Sequence, residues 1–309
     1  MHRAFANYHP LPEGEQADSV LAMFLSALLL LQAATAVQTG RFASRRVVES
    51  SGVAVSRAHP GILWTHNDSG DGPYLYATDV RGSDLGFLLV PGAGAVDWED
   101  IALGPCPTRA GTCVYLGDTG DNLEARPYVT VYAVTEPEPP TGPGDTLRTT
   151  TAPAVLRLKY PDGSHDVEAI YVSPRDTALY LVSKGRSGSI AVYRVMRSAW
   201  SPRPDSIVQA DRVQVLDINP DPGAGRWVTG AAIQTSGRLV AIRTYAEIFF
   251  FYPGVGGRLT PAKEHACEIA ASGERGAGEG IDFLDDSAVV LTSEALPRYP
   301  GTIHRVVCP

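Results

Sequence analysis

Hydrophobic and polar residues alternate with a period of two along most of the chain, and turns rich in Gly, Pro, Asn and Asp separate the alternating segments. This period is that of β-strands. One composite pattern occurs five times: a short segment with acidic or hydroxyl residues, then an apolar strand that ends in polar residues. The short segments are residues 49–54 (ESSGVA), 97–102 (DWEDIA), 166–171 (DVEAIY), 228–233 (VTGAAI) and 278–283 (GEGIDF). Repeats of this kind are typical of radial β architectures.

The turn punctuation divides each of the first four repeats into four strands, whereas the fifth repeat has three. A further strand is predicted at residues 41–48 (RFASRRVV), before the first repeat. Adding this strand to the fifth repeat closes a ring and removes two open sheet edges. The sequence therefore predicts an all-β fold: a five-bladed β-propeller with four antiparallel strands per blade, its last blade closed by the N-terminal strand.

Residues 1–36 are predicted to be a signal peptide, and residues 37–309 a single propeller domain. Residues 20–33 are a continuous apolar run that ends in Ala34-Thr35-Ala36, the small-x-small pattern of a signal-peptidase site. The run is shorter than the roughly 20 residues that span a bilayer. We therefore expect cleavage near Val37, a secreted or extracytoplasmic protein and no stable membrane span. Acidic residues before the run depart from the usual basic n-region, which leaves open a start at Met23 or an uncleaved anchor.

Two cysteine pairs fit an oxidising compartment. Cys106 and Cys113 flank a tight loop, and a Cys267–Cys308 bond would tie the last segment to the body, although four cysteines allow three pairings. The net charge of −8 comes from 26 basic and 34 acidic residues, without a Lys/Arg run. Nucleic acid is therefore not expected as a partner, since phosphate backbones need clustered cations.

The first strand of each propeller blade lines the central channel, so equivalent positions converge on one axis. Alignment of the repeats places Ser51, Glu99, Glu168, Thr229 and Glu279 in one layer. Carboxylates held so close raise each other's pKa values unless a cation neutralises them. Oxygen ligands of this kind suit Ca²⁺, which is the expected cofactor. In the alternative interpretation, the glutamates bond backbone amides or pair with Lys184 or Arg243.

The second strands end near the same opening with mixed acids and bases. Five of these residues are candidates for chemistry: Asp68, Asp118, Lys184, Arg243 and Glu294. Phosphoanhydride or phosphoester hydrolysis uses cations to neutralise phosphoryl oxygens and a carboxylate to orient water. Ordinary turn chemistry is the alternative, because residues 67–72 (NDSGDG) and 117–122 (GDTGDN) also favour tight turns.

The first-strand segments that contain Ser51, Glu99, Glu168 and Glu279 resemble those of the calcium-activated nucleotidases, which are secreted apyrases. The resemblance implies a five-bladed propeller with a central Ca²⁺ held by hydroxyl and glutamate residues, one from each blade. It also implies that Lys184 and Arg243 contact phosphate and that Asp68 is the acid of the first blade. Where that family has Arg directly after this acid, the present chain has Ser69.

Two functions are therefore expected from the sequence. The first is a Ca²⁺-dependent phosphohydrolase that takes a small phosphate-bearing substrate at the channel opening. The second is a non-catalytic propeller, stabilised by Ca²⁺, that binds an unidentified ligand or protein. The fold serves both uses. The sequence motifs of serine hydrolases, P-loop NTPases and zincins are missing from the chain.

Overall fold

The computed structural model describes residues 35–142, 148–200, 206–220, 225–263, 267–268 and 277–308. The strands of the first half are β1 (Thr35–Arg41), β2 (Ser50–Val55), β3 (Leu63–Asn67), β4 (Tyr74–Thr78), β5 (Phe87–Leu89), β6 (Trp98–Pro105), β7 (Thr112–Asp118), β8 (Val129–Thr135), β9 (Arg148–Thr149) and β10 (Ala154–Lys159). Those of the second half are β11 (Val167–Val172), β12 (Leu179–Ser183), β13 (Ala191–Val195), β14 (Ile207–Gln209), β15 (Asp211–Val215), β16 (Val228–Ile233), β17 (Val240–Thr244), β18 (Glu247–Pro253), β19 (Leu259–Pro261), β20 (Cys267–Glu268), β21 (Gly278–Phe283), β22 (Ala288–Ser293) and β23 (Thr302–Val307). Among the described residues, short 3₁₀ helices cover Arg197–Ala199 and Val255–Gly257.

These strands form five small sheets, which are the five predicted blades. In chain order the sheets are β2-β3-β4-β5 with β9, β6-β7-β8-β10 with β14, β11-β12-β13-β15, β16-β17-β18-β19 with β20, and β21-β22-β23 with β1. The innermost strands β2, β6, β11, β16 and β21 contact one another around the axis. The five-bladed propeller is therefore confirmed, together with the closure of the last blade by the N-terminal strand.

The closing strand lies earlier in the chain than predicted. It is β1, which pairs antiparallel with β23 from Thr35 opposite Val307 to Arg41 opposite Thr302. The predicted strand at residues 41–48 was wrong, because the apolar residues of this segment are buried from a loop and not from a strand. Phe42 and Val47 are buried in the seam between the fifth and first blades. The predicted cleavage point at Val37 falls inside β1, and residues 1–34 lie outside the described part of the chain.

The outer edges of two blades carry strands that the sequence did not predict. The short strand β9 pairs parallel with β5, and β14 pairs parallel with β10. Strand β9 lies in the connection from β8 to β10 of the second blade and pairs with the edge of the first blade. Strand β14 lies in the connection from β13 to β15 of the third blade and pairs with the edge of the second blade. The fourth blade, for which one outer strand was predicted, has the two short strands β19 and β20 on its outer side.

Apolar side chains fill the seams between neighbouring blades, one cluster for each seam. Trp98, which is 1% exposed, lies in the seam between the first and second blades beside Trp64 and Tyr132. Faces of adjacent sheets thus bury each other, as propeller blades do. Within the described residues, no helix has the length and apolar character needed to cross a bilayer.

The Cys106–Cys113 disulfide predicted from the sequence is present and closes the β6–β7 hairpin. The side chain of Cys267, the predicted partner of Cys308, lies outside the described residues.

A buried carboxylate joins three of the innermost strands. Asp100, on β6, is fully buried, and its Oδ1 accepts the N–H of Ile101 at 2.8 Å. Its Oδ2 accepts the N–H of Ile170 on β11 at 2.8 Å and that of Ala231 on β16 at 3.2 Å. Equivalent positions in the other four blades carry small residues, namely Gly52, Ala169, Gly230 and Gly280.

The small residues of this layer are required by close packing at the axis. A Cβ atom on Gly52 would lie 2.8 Å from the nitrogen of Ile101 and 3.0 Å from Oδ1 of Asp100. We name the interaction of Asp100 with the three amides the axial clasp. It fixes three blades at the axis and fills the space that the small residues leave.

We predict that Asp100→Ala destabilises the fold severely. Three buried N–H groups would lose their acceptor, and an unsatisfied buried donor costs about 1–3 kcal/mol, so the total loss is about 3 kcal/mol or more. Urea denaturation measures the difference. Asp286→Ala, which removes an exposed carboxylate from the same molecule, is the control and should change the free energy of unfolding by less than about 0.5 kcal/mol. Equal losses in the two variants would contradict the role of the clasp.

Candidate metal centre

The five predicted ligand positions coincide with a shared irregularity of the innermost strands. In every blade the register between the first and second strands shifts at this point, and the shifts fall at Ser50/Gly52, Trp98/Asp100, Val167/Ala169, Val228/Gly230 and Gly278/Ile281. Ser51, Glu99, Glu168, Thr229 and Glu279 are the residues within these shifts. A β-bulge turns a side chain away from the pleat. The bulges explain how first-strand residues of five separate blades come to occupy equivalent positions at one end of the channel.

The two hydroxyl residues of this layer connect neighbouring blades. Ser51 Oγ donates to the backbone oxygen of Glu99 at 2.6 Å and lies 3.5 Å from its Oε2. Thr229 Oγ1 donates to the backbone oxygen of Glu279 at 3.3 Å. Each hydroxyl oxygen retains lone pairs that could face a cation.

Carboxylates crowd around Glu99 in two overlapping groups. Oxygens of Glu99, Asp166 and Glu168 lie within 4.8 Å of one another, and so do oxygens of Glu99, Asp68 and Asp97. We call these five residues the carboxylate cluster. Glu99, Asp166 and Glu168 are buried, whereas Asp68 and Asp97 are half-buried. The cluster thus extends from the interior of the channel end toward its opening.

Two members of the cluster, Asp97 and Asp166, were not among the predicted site residues. Each precedes its glutamate by two positions, so the second and third blades share the pattern Asp-x-Glu. This repeated pattern was the available signal. Tyr245 was also missed, and its hydroxyl donates to Glu279 Oε1 at 3.1 Å.

Burial and the charges of neighbouring acids raise the pKa values of four carboxyl groups at this end of the channel, namely Asp97, Glu99, Glu168 and Glu279. Burial raises the pKa of Glu168 to about 8, against the opposing effect of Lys184. Burial likewise raises the pKa of Glu279 to about 7 and that of Asp97 to about 6. For Glu99, burial and then the charges of Glu168, Asp68 and Asp97 place the pKa well above its ordinary value. Ionisation of the group is therefore unfavourable without added positive charge.

Two cationic side chains offset part of this charge. Lys184 Nζ lies 2.5 Å from Glu168 Oε1, and Arg186 Nε lies 3.1 Å from Asp166 Oδ2. Glu99 and Glu279 are buried beside them, and Glu279 Oε2 is a buried oxygen without a hydrogen-bond partner among the described residues. An oxygen in that state is a fitting ligand for a cation.

The backbone of the loop after β7 packs directly on the cluster. A Cβ atom on Gly120 would overlap Oε1 of Glu99 and Oδ2 of Asp97. The glycine of the sequence GDTGDN is therefore needed for space. This observation gives the loop a role that turn chemistry alone does not explain.

Of the five residues predicted for chemistry, three lie in or beside the carboxylate cluster and two lie in the structure that supports it. Asp68 belongs to the cluster, and Lys184 pairs with it. Glu294 is half-buried nearby, and burial, followed by the charges of Asp68 and Glu49, raises its pKa to about 6. These three side chains therefore lie in or beside the carboxylate cluster, and their catalytic role stays a prediction.

Asp118 and Arg243 lie in the supporting structure. Asp118 Oδ1 accepts the N–H of Asp97 at 3.1 Å and pairs with Arg126 at 3.0 Å. It therefore holds the loop that carries Asp97. The guanidinium of Arg243 is fully buried and donates to the backbone oxygens of Gly280 and Thr292 at 2.7 and 3.0 Å, which links the fourth and fifth blades.

Comparison with known proteins adds little beyond the fold. No family model matches the chain, and no curated protein matches it. Among solved structures, an auxiliary nutrient binding protein from Bacteroides thetaiotaomicron is similar, with 9% identity over 89% of this chain and 76% of that chain and a TM-score of 0.45. A nidogen/laminin complex is similar with 11% identity over 84% of this chain and 84% of that chain, at a TM-score of 0.47. A glucose dehydrogenase is similar with 12% identity over 88% of this chain and 98% of that chain, at a TM-score of 0.42. Likenesses this distant carry no statement about activity, ligand or partner.

We predict that, without divalent cations, the stability of the protein falls as the pH rises from about 5 to about 8. The folded protein retains protons on Glu168, Glu279 and Asp97 that the unfolded chain has released, because their pKa values rise to about 8, 7 and 6 on folding. Stability decreases with pH wherever the folded state binds more protons. Thermal midpoints in EDTA across this range test the prediction.

Glu168→Gln should flatten this pH profile, since the amide does not titrate. A midpoint that rises across the range in the unchanged protein would contradict the proposed electrostatics.

Proposed function

We propose that this protein is a secreted calcium-binding β-propeller and that the carboxylate cluster holds the ion. The observation that carries the proposal is the approach of the Glu99, Asp166 and Glu168 oxygens to within 4.8 Å of one another in a buried setting. Like charges so placed repel strongly, and a divalent cation converts the repulsion into coordination.

The donor set supports Ca²⁺ in particular. Both carboxylate groups of the described residues consist of oxygen donors alone, without His or Cys. Hard cations prefer such ligands, whereas zinc takes nitrogen and sulfur. Ser51 lies beside Glu99, and Glu279 has a buried Oε2 without a hydrogen-bond partner among the described residues. Together with the carboxylate cluster, these two residues offer enough oxygens for the roughly six to eight ligands that Ca²⁺ takes.

Secretion is part of the same proposal. The Cys106–Cys113 disulfide supports an oxidising compartment, where such bonds persist. Extracellular fluids also contain Ca²⁺ at millimolar levels, which weak sites of extracellular modules exploit.

We predict that Ca²⁺ stabilises the protein and that Glu99→Gln removes most of the effect. A ligand at a hundredfold excess over its Kd adds about 2.7 kcal/mol, which corresponds to a rise of about 4–5 °C in Tm for a chain of this size. Thermal melts in EDTA and in Ca²⁺, together with calorimetric titration, measure both quantities.

The matched control for this experiment is Glu138→Gln, because the Glu138 side chain is 82% exposed and lies far along the chain from the cluster residues. It should leave the calcium-dependent shift unchanged. A full shift that survives in Glu99→Gln would overturn the site, and so would a protein that Ca²⁺ does not stabilise at all.

A second candidate function, hydrolysis of a phosphoester or phosphoanhydride, is favoured by Glu294 and Asp68. Glu294 is half-buried beside Asp68, with a pKa of about 6. A carboxyl group with a pKa near neutrality can accept a proton from an attacking water. Bound Ca²⁺ would supply charge neutralisation for the phosphoryl oxygens. Lys184, held by Glu168, acts electrostatically on Glu294 and would add an ammonium group for the same purpose.

The hydrolytic function predicts phosphate release from a panel of pyrophosphate, nucleotides and p-nitrophenyl phosphate in millimolar Ca²⁺. Glu294→Gln should lower kcat by about 100-fold or more, as expected on loss of a general base, while calcium binding is retained. Glu138→Gln serves again as the control. If the unchanged protein binds Ca²⁺ but releases no phosphate, the protein is a calcium-stabilised binding propeller, which is the alternative function.

A further inference from the structure

A cavity lies between the third and fourth blades, at the other end of β11 from Glu168. It has a volume of about 360 Å³, within the range of about 300–1,000 Å³ that small-molecule sites have. The third blade lines it with Tyr171, Tyr180 and the turn of residues 173–176, and the fourth blade lines it with residues 253–257. We call it the tyrosine cavity. Since Glu168 lies near the start of β11 and Ser173 follows the end of this strand, about 16 Å separate the cavity from the carboxylate cluster.

The hydroxyl of Tyr171 has no hydrogen-bond partner among the described residues, although the residue is only 1% exposed. Burial raises the pKa of this phenol well above its ordinary value, so the hydroxyl keeps its proton. A buried hydroxyl without a partner is unfavourable, and buried tyrosine hydroxyls usually have one. Because Tyr171 lines the cavity, a ligand there can supply the missing hydrogen bond.

The charges of the cavity balance. Its lining contains one cation, Arg175, and one acid, Asp176. Burial opposes the effect, but hydrogen bonds from Tyr180 and Ser173 hold the pKa of Asp176 below its ordinary value, so the carboxylate is ionised. An anionic ligand would be repelled by Asp176 and a cationic ligand by Arg175. The balanced lining therefore favours a neutral ligand.

Hydrogen-bond donors and acceptors are mixed in the lining. The guanidinium of Arg175 donates, the carboxylate of Asp176 accepts, and the hydroxyls of Tyr171 and Ser173 can do either. A ligand hydroxyl likewise donates one hydrogen bond and accepts up to two. Tyr180 and Pro253 add apolar surface for the C–H groups of a ring. A neutral ring with several hydroxyl groups matches this combination.

The turn that forms one wall is held in place by its own hydrogen bonds. Ser173 Oγ accepts the N–H of Arg175 at 3.3 Å. Asp176 Oδ1 accepts the N–H of Ala178 at 3.2 Å, and its Oδ2 accepts the hydroxyl of Tyr180 at 2.7 Å. Polar groups fixed in this way lower the entropic cost of binding.

The fourth-blade wall is anchored to the third blade. Arg175 Nη1 donates to the backbone oxygen of Pro253 at 3.3 Å, and Arg194 Nη1 donates to that of Gly256 at 3.0 Å. A Cβ atom on Gly257, whose φ is 81°, would overlap the ring of Tyr180, so the hairpin packs directly on this ring. The cavity is therefore a built feature of the contact between two blades.

We propose that the tyrosine cavity binds one sugar ring, a neutral ligand whose hydroxyl groups donate and accept hydrogen bonds. The ring can belong to a free monosaccharide or to the end of a glycan, since the two sources share this chemistry. The cation of the carboxylate cluster is not needed for this binding. The cavity can therefore be tested in EDTA, and the result is separate from the fate of the proposed calcium site.

Calorimetric titration of the whole protein in EDTA tests the proposal. The sugar probes are glucose, galactose, mannose and N-acetylglucosamine. Cyclohexanol offers a ring with a single hydroxyl, and acetate offers an anion without a ring. The proposal expects at least one sugar to bind about tenfold or more tightly than both control probes, because each control leaves polar groups of the cavity without a partner.

The methyl glycosides of the best sugar distinguish the two sources. A methyl group on the anomeric oxygen mimics the linkage to the rest of a glycan. Affinity retained by either methyl glycoside supports the end of a glycan as the ligand, whereas affinity confined to the unmodified sugar supports a free monosaccharide.

Two variants assign the binding to the cavity. Tyr171→Phe removes one oxygen and keeps the ring, and Arg175→Gln changes an exposed residue, so both should fold with unchanged thermal midpoints. Each should weaken the best sugar by about tenfold or more.

Matched controls exist for both variants. Tyr160→Phe removes another buried hydroxyl without a partner among the described residues, in the seam between the second and third blades. Arg81→Gln changes an exposed arginine near the start of the first blade's β4–β5 connection. Both controls should leave the affinity unchanged.

Three results would overturn the proposal. The first is that none of the four sugars binds at millimolar concentration. The second is that cyclohexanol or acetate binds as tightly as the best sugar. The third is full affinity in both Tyr171→Phe and Arg175→Gln, which would leave the Tyr171 hydroxyl with an ordered water as its only partner.

Discussion

The structure depends on one carboxylate at the centre of the ring. Asp100 accepts amide hydrogens from Ile101, Ile170 and Ala231, which belong to three different blades. A propeller otherwise holds its blades together through apolar seams, which have little directionality. The axial clasp adds directional contacts at the axis, where a small shift of one strand would separate donors from their acceptor. The innermost strands approach one another closely in the same layer, since a Cβ atom on Gly52, Gly230 or Gly280 would meet the backbone of a neighbouring strand.

The bulges lie directly beside this close-packed layer and carry the candidate ligands. The innermost strand of each blade shifts register directly before Asp100 or the equivalent small residue, and this shift turns one side chain toward the channel end. The fold thus concentrates acids that repel one another, and it does so at a cost in stability that Lys184 and Arg186 offset in part. Buried carboxylates that remain unfavourable after such pairing are frequent at functional sites, because the strain is relieved by a ligand. A cation bound as proposed would therefore stabilise the fold through the same oxygens that it coordinates.

Much of the architecture could be predicted from the sequence, since each blade repeats the same short pattern and strand periodicity survives in every repeat. The bulge residues also followed from this repetition. The closing strand was misplaced because Phe42 and Val47 have the spacing of a strand yet are buried as loop residues in a seam. The parallel strands β9 and β14 are only two and three residues long, too short for periodicity to reveal. Arg243 and Asp118 have the residue types of catalytic groups, but folding places Arg243 against backbone oxygens of the fifth blade and Asp118 against Arg126 and the N–H of Asp97, and the strand pattern predicts neither contact.

Asp118 shows how a residue with the chemistry of a catalytic acid can instead hold the site in place. One oxygen of this carboxylate accepts the N–H of Asp97 and binds Arg126, while the other accepts the N–H of Val96. Asp97 belongs to the carboxylate cluster, so Asp118 fixes the loop that carries it. Arg126 also donates to the backbone oxygen of Gly120, and a Cβ atom on Gly120 would overlap Oε1 of Glu99. The loop with Asp97 and the loop with Gly120 are therefore held by one ion pair, and a change at Asp118 would alter the geometry of the cluster without removing any of its oxygens.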